Sequence, residues 1–257
     1  MDLIQALTNI KNVTDVLPEK EFACIRANKG EAIPTLLEYV KAVVEMGKDL
    51  PKDYNAHTYA MFLLAEFRVH EAFPYFIEYL KFDLDTTEYL LGDTLTEDFG
   101  SILASVATTG DIPRIMDIVE DSELYIIQRS TALNALQVLY AEDVFDREEY
   151  FAYLRRLLET CWDDPELLAF VIIDCRLAGD KEFLPVIEPL YKKNLVAEDI
   201  ASLSFTQESL SVSDIETSKQ LLRQRKYSSF VHDALMPISS WYCFMKKSDN
   251  RSILGID

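Results

Sequence analysis

Asp93, Glu97 and Asp98 place three carboxylates within six residues of the stretch LGDTLTEDFGSILAS, 91–105. Carboxylates crowded in this way raise one another's pKa, which suits them to proton transfer or to holding a cation. The same residues also have a purely structural reading. Thr94 and Glu97 match a Thr-x-x-Glu capping box, Thr96 offers a second cap, and acids in a first helical turn are favoured by the helix dipole. Glu66 and Arg68 close a helical run in HTYAMFLLAEFRVHEAFPYFIEYL, 57–80, and Arg129 opens another in RSTALNALQVLY. Asp174 and Arg176 stand late in a third. Charges so placed suit bonding between neighbouring helical units, where arginine's planar fork pairs bidentately, or else line a ligand groove. The candidate binding set is therefore Asp93, Glu97, Asp98, Glu66, Arg68 and Arg129, with no catalytic residue nominated.

Other chemistry is sparse. His57 and His70 are thirteen residues apart, about 220° around a helix, so they are not an i,i+4 chelating pair. Neither sits in an HExxH arrangement, and no third ligand is near in sequence. His57 reads as an early helix residue and His70 as a turn residue. The chain has no GxSxG elbow, glycine-rich phosphate loop or GxGxxG, and neither Cys161 nor Cys175 has an evident histidine partner. Cys24, Cys161, Cys175 and Cys243 form no CxxC pair. They read as small buried hydrophobes of a reducing compartment. No cofactor and no metal is expected, and a non-enzymatic role is favoured over an enzymatic one.

The charge balance selects partners. Lys and Arg number 25 against 44 Asp and Glu, a formal net charge of −19. Residues 51–150 carry −14 of it, whereas residues 201–257 carry +1. Such a field repels phosphate backbones and anionic lipid and speeds encounter with cationic partners. Nucleic acid and membrane are thus excluded as expected partners, and a protein or basic peptide is favoured. The start, MDLIQALTNIKNVTDVL, lacks the continuous apolar core of a signal peptide. LLAFVII, 167–173, is the longest wholly apolar run, far short of a membrane span. A cytoplasmic location follows as the expectation.

The elements that would position these residues show a period. Helices of small and apolar residues alternate with helices that have proline near their start, anchored at Pro34, Pro74, Pro113, Glu149 and Pro185, with intervals of 40, 39, 36 and 36. Proline is tolerated in a first helical turn, where its missing N–H has no partner to lose. First helices are expected at 18–28, 56–68, 97–108, 127–141 and 165–177. In 56–68 the residues Tyr59, Phe62, Leu63 and Phe67 share one face, while Ala60 and Ala65 admit a close neighbour. Ala104, Ala107, Ala132 and Ala135 repeat the small-residue signal. Hairpins of this kind bury their apolar faces by stacking. The expected fold is all-α: an α-solenoid of about five HEAT- or armadillo-like hairpins over 1–199, opened by an N-terminal cap at 1–17. A C-terminal helical cap and tail, 200–257, would close it. That last region has a basic helix with Lys219, Arg223, Arg225 and Lys226, and then the aromatic cluster Trp241, Tyr242 and Phe244.

YAMFLLAEFRVHEAFPYFIEYL, LGDTLTEDFGSILASVATTGD and RSTALNALQVLYAEDVFDREEYFAYLRRLL together resemble a bacterial family, domain of unknown function 1186. The resemblance covers about residues 15–245, including the aromatic VHDALMPISSWYCF. It implies HEAT-like helical repeats and supplies no catalytic residues. Some members of that family continue into a cysteine-rich, zinc-binding module, whereas this sequence reads MKKSDNRSILGID after Phe244. The expected function is a non-catalytic scaffold that receives a basic peptide or protein on an acidic concave surface. The alternative is a carboxylate-based enzyme or cation-binding protein centred on Asp93, Glu97 and Asp98, with Arg129 or Glu66 in the same groove.

Overall fold

Apolar residues recurring at helical spacing along nearly the whole chain leave little for strands, and the computed structural model is all-helical among the described residues, which are 1–12, 14–51, 54–225 and 228–244. The terminal MKKSDNRSILGID and Lys226 of the basic helix lie outside them. The helices run α1 (Leu3–Asn9), α2 (Glu19–Ala27), α3 (Lys29–Met46), α4 (Ala56–Phe67), α5 (Phe73–Tyr79), α6 (Leu84–Leu91), α7 (Thr94–Glu97) and α8 (Phe99–Val106). They continue with α9 (Ile112–Glu120), α10 (Ile126–Ala141), α11 (Arg147–Thr160), α12 (Pro165–Ala178), α13 (Leu184–Lys192), α14 (Leu203–Val212), α15 (Ile215–Gln224) and α16 (Leu235–Ile238). No helix among the described residues is long and apolar enough to cross a membrane.

The proline anchors act largely as the sequence predicts. Pro74, Pro113 and Pro185 occupy the first turns of α5, α9 and α13. Pro34 differs, lying inside α3, which begins at Lys29. Aspartates supply many of the other starts: Asp83, Asp146, Asp164 and Asp214 accept backbone N–H groups at the heads of α6, α11, α12 and α15. The expected second helix after Pro74 is interrupted. α5 ends at Tyr79, and Asp83 starts the separate helix α6 by accepting from the Thr86 N–H at 3.0 Å.

α4, α8, α10 and α12 pack against one another in chain order, with α3 on α4, α9 on α10 and α11 on α12. Small residues set the spacing. A Cβ on Gly100 of α8 would stand 2.1 Å from Asn134 Oδ1 of α10, and Ala104, Ala132 and Ala135 are fully buried, although Ala107 is only partly so. Buried polar side chains tie each unit to the next. Tyr79 donates to the Val40 carbonyl at 2.6 Å, Gln128 to Phe82 O at 2.7 Å, and Thr131 to Leu95 O at 3.0 Å.

The one-sided pattern read for residues 56–68 is incomplete. Eleven of the twelve residues of α4 are buried, and all eight of α8. A helix apolar on every side needs cover on every side, and the third side is supplied by the C-terminal segment. In part of that segment, α14 packs on α12 and α13. The rest departs from the expected end cap, running back across the C-terminal ends of the first helices in reverse order. It passes Gly179 so closely that a Cβ there would meet Ser218 Oγ at 2.1 Å, and α15 lies on α12 and α10. Lys219 and Arg223 pair with Asp143, and Arg223 donates to the Ala141 carbonyl at the end of α10, where the helix dipole favours cations. The Val231 N–H then reaches Ser105 Oγ of α8 at 2.9 Å, the Ala234 N–H reaches Glu66 of α4 at 2.7 Å, and Asp233 pairs with Arg26 of α2. Trp241 finally lies over Tyr59 and Phe62, ring centroids 6.3 and 6.0 Å away. At the other end, α1 packs on α2 and α3 through Leu7 and Ile10, while Ile4 is exposed.

Asp174 joins three neighbouring helices, α10, α11 and α12. Its carboxylate accepts from Gln137 of α10 at 2.8 Å and from Tyr150 of α11 at 2.8 Å. Arg176 instead lies over the Phe205 ring. Of the cysteines, only Cys175 is fully buried, and Cys243 is exposed.

Two predictions follow from this packing. Glu66→Gln removes the charge that holds both Arg26 and the Ala234 amide, and should lower stability by roughly 1–3 kcal/mol in urea unfolding. It should also speed proteolysis after residue 228; unchanged values for both would contradict the gripping role. Burial pushes the Asp174 carboxyl up from 3.8 to about 8, so the folded state holds its proton more tightly than the unfolded state. This group's contribution is present below pH 3.8 and is lost as pH rises through about 8. The stability of Asp174→Asn relative to the natural chain should therefore rise steadily across that window; a flat difference would refute the assignment.

Candidate functional site

A cleft forms where four segments meet. Asn55 fixes the approach to α4, its N–H donating to the Lys11 carbonyl at 2.7 Å, and this sets Tyr54 and His57 at the head of that helix. α6 delivers Tyr89, whose hydroxyl donates to Leu50 O at 3.1 Å. Gly92, at φ +51°, then turns the chain straight into α7, bringing Asp93 and Glu97 onto the same rim. Trp241, laid across α4, contributes the last wall. The space enclosed is about 420 Å³.

His57 is 5% exposed and lines this cleft. Its Nε2 stands 2.7 Å from the Leu90 carbonyl oxygen, which can only accept, so Nε2 carries the hydrogen and donates. Nδ1 is then the bare acceptor of a neutral ring, and it has no hydrogen-bond partner among the described residues. Burial lowers the pKa of this histidine, opposed by the bond to Leu90. The ring stacks on Tyr54, centroids 5.8 Å apart and planes within 2°. Burial also pushes the Tyr54 hydroxyl up to about 12, so both rings present neutral faces at physiological pH.

The candidate residues separate. Asp93 and Glu97 line the cleft, and neither carboxylate has an ion-pair or hydrogen-bond partner among the described residues. The capping box read at Thr94 and Glu97 does not form. Asp93 is already helical at φ −62° and ψ −23°, no side chain caps α7, and Thr94 is buried. Thr96 bonds back to the Asp93 carbonyl instead. Asp98 is buried and does not line the cleft.

Glu66 receives Arg26 bidentately at 2.8 and 2.7 Å and grips the C-terminal segment. Arg68, in the left-handed region at φ +58°, donates to Val231 O at 2.8 Å and lies over the Phe230 ring. Arg129 is buried between units, donating to Val119 O at 2.9 Å and Asp164 at 2.5 Å. The constellation expected to join Asp93, Glu97 and Asp98 with Arg129 or Glu66 therefore does not assemble, because those partners are consumed in joining helices. His70 is a turn residue, as read, with Nδ1 3.1 Å from Val106 O.

Sequence reasoning missed Tyr54, Tyr89 and Trp241 as walls. Trp241 arrives from 184 positions downstream of His57, and nothing local to either residue signals their meeting. The orphaned Nδ1 of His57 had no sequence signal either, since it depends on where the Leu90 carbonyl points.

Among known proteins, the chain is 25% identical to an uncharacterized protein of Chlamydia trachomatis over 252 residues, covering 94% of this chain and 96% of that one. It is 25% identical to an uncharacterized protein of Chlamydia muridarum over 251 residues, covering 94% and 97%. No solved structure matches it. The family described as protein of unknown function DUF1186 matches residues 1–245, nearly the whole length, and the chain belongs to that family.

Proposed function

We propose that the chain is a non-catalytic interaction scaffold, an α-solenoid of HEAT or armadillo character acting in the cytoplasm, that receives a basic segment of another protein at the cleft carrying Asp93 and Glu97. The observation that carries this reading is the contrast in charge use. Glu66, Arg68 and Arg129 are paired within the fold, while Asp93 and Glu97 stand without partners among the described residues on an aromatic-walled cleft. The net charge of −19 would steer a basic partner toward it. The chain's own C-terminal segment offers an internal precedent, since Lys219 and Arg223 dock on Asp143.

Exposed charges separated by more than a Debye length are screened at high salt. Capture of a basic protein partner should therefore fall by about tenfold or more when ionic strength rises from about 0.05 to about 0.5 M. Asp93→Asn/Glu97→Gln should reduce it comparably at the lower salt. Capture indifferent to both changes would refute the reading.

A further inference from the structure

The cleft holds more information than its negative charge. Two exposed carboxylates alone would be an ordinary solvated rim, but here they line the same cleft as His57, whose buried Nδ1 has no partner among the described residues. His57 Nδ1 is enclosed, neutral and without a donor, and a buried polar atom left unpaired is costly in a folded protein. Among the described residues, those lining the cleft include Asp93 and Glu97 and no lysine or arginine. Its walls include the rings of Tyr54, Tyr89, Trp241 and Tyr242. Aromatic faces attract cations through the ring quadrupole and repel anions. No group of three or more His, Cys, Asp or Glu among the described residues is arranged to hold a metal ion. The charge that fits is thus one carried on a carbon framework, with an apolar stem to lie along the rings.

We propose that this cleft binds a primary alkylammonium group, with Asp93 and Glu97 as counter-charges, His57 Nδ1 accepting one N–H, and the aromatic walls packing on the alkyl stem. A primary ammonium is a compact charge with three donors, matching these three acceptors, whereas the planar fork of a guanidinium suits a bidentate carboxylate pair. The inference rests on the binding reading above and names the group recognised. That group can belong to a free amine or to a lysine side chain, which share the ammonium and the four-carbon stem and differ in the backbone amides that follow.

The test titrates the full chain with n-pentylammonium and with Nα-acetyl-lysine methylamide, reading affinity by calorimetry and the His57 Nδ1 nitrogen shift by NMR. Both probes should bind and move that resonance. Tighter binding of the lysine probe assigns the site to a protein partner; tighter binding of pentylammonium assigns it to a free amine. Tetramethylammonium, which has no N–H, and the neutral 1-pentanol should each bind at least about tenfold more weakly. Asp93→Asn/Glu97→Gln should weaken both amines by about tenfold or more. Glu148→Gln/Glu149→Gln, an equal charge change at exposed positions of α11, should leave binding unchanged.

The proposal is overturned if neither amine binds at about 10 mM, where an interaction of about 2.7 kcal/mol would be half-saturated. It is equally overturned if the two double variants behave alike, or if the His57 resonance is unmoved on saturation. Amine binding with no salt-sensitive protein capture would remove the scaffold reading and leave this site standing. Salt-sensitive capture with no amine binding would do the reverse.

Discussion

α4 and α8 have almost no side that can face water, and this governs the arrangement around them. An amphipathic helix needs one neighbour, but a helix buried on all sides must be enclosed. For α4 the enclosure comes from α3, from α8 and from the C-terminal segment that ends with Trp241 on Tyr59 and Phe62. The segment is therefore a third layer laid over the first helices. Its path follows the C-terminal ends of α12, α10, α8, α4 and α2, where unsatisfied carbonyls and end charges offer bonds. Lys219, Arg223 and the Ala234 amide take up those offers, and the Val231 amide bonds to the Ser105 hydroxyl.

Much of the acidic excess is committed by the same architecture. Asp83, Asp146, Asp164 and Asp214 hold helix N-termini, and Glu120 pairs bidentately with Arg156 between α9 and α11. Negative charge in this chain is thus as much a means of construction as a field for partners. The exceptions acquire meaning by contrast. Asp93 and Glu97 are left over on a cleft whose other polar group, His57 Nδ1, is also left over.

Local signals in the sequence were dependable where a local cause operates. Proline at 74, 113 and 185 marks helix starts because its constraint acts within one turn, and the alanines of α8 and α10 mark a close crossing because only small residues permit one. The capping box at Thr94 and Glu97 failed because Gly92 swings the chain directly out of α6, so no extended cap residue precedes α7. The route of residues 214–244 was illegible for a different reason. Its bonds join residues such as Ser105 and Val231, 126 positions apart, and no periodicity records such a pairing. A hint existed in the all-round apolar character of AMFLLA, which a single-face reading leaves uncovered. The candidate site was legible only in its acids, since the aromatic walls come together through that same long-range route.

The account stands most directly on the C-terminal segment being docked across the first helices, and native-state hydrogen exchange tests it. The amides of Val231 and Ala234 bond to Ser105 Oγ and Glu66 Oε2, so they should exchange at least about a hundredfold more slowly than in an unstructured peptide. Exchange of both amides at the unstructured rate, with α4 and α8 protected, would show that the third layer is absent and would contradict the account.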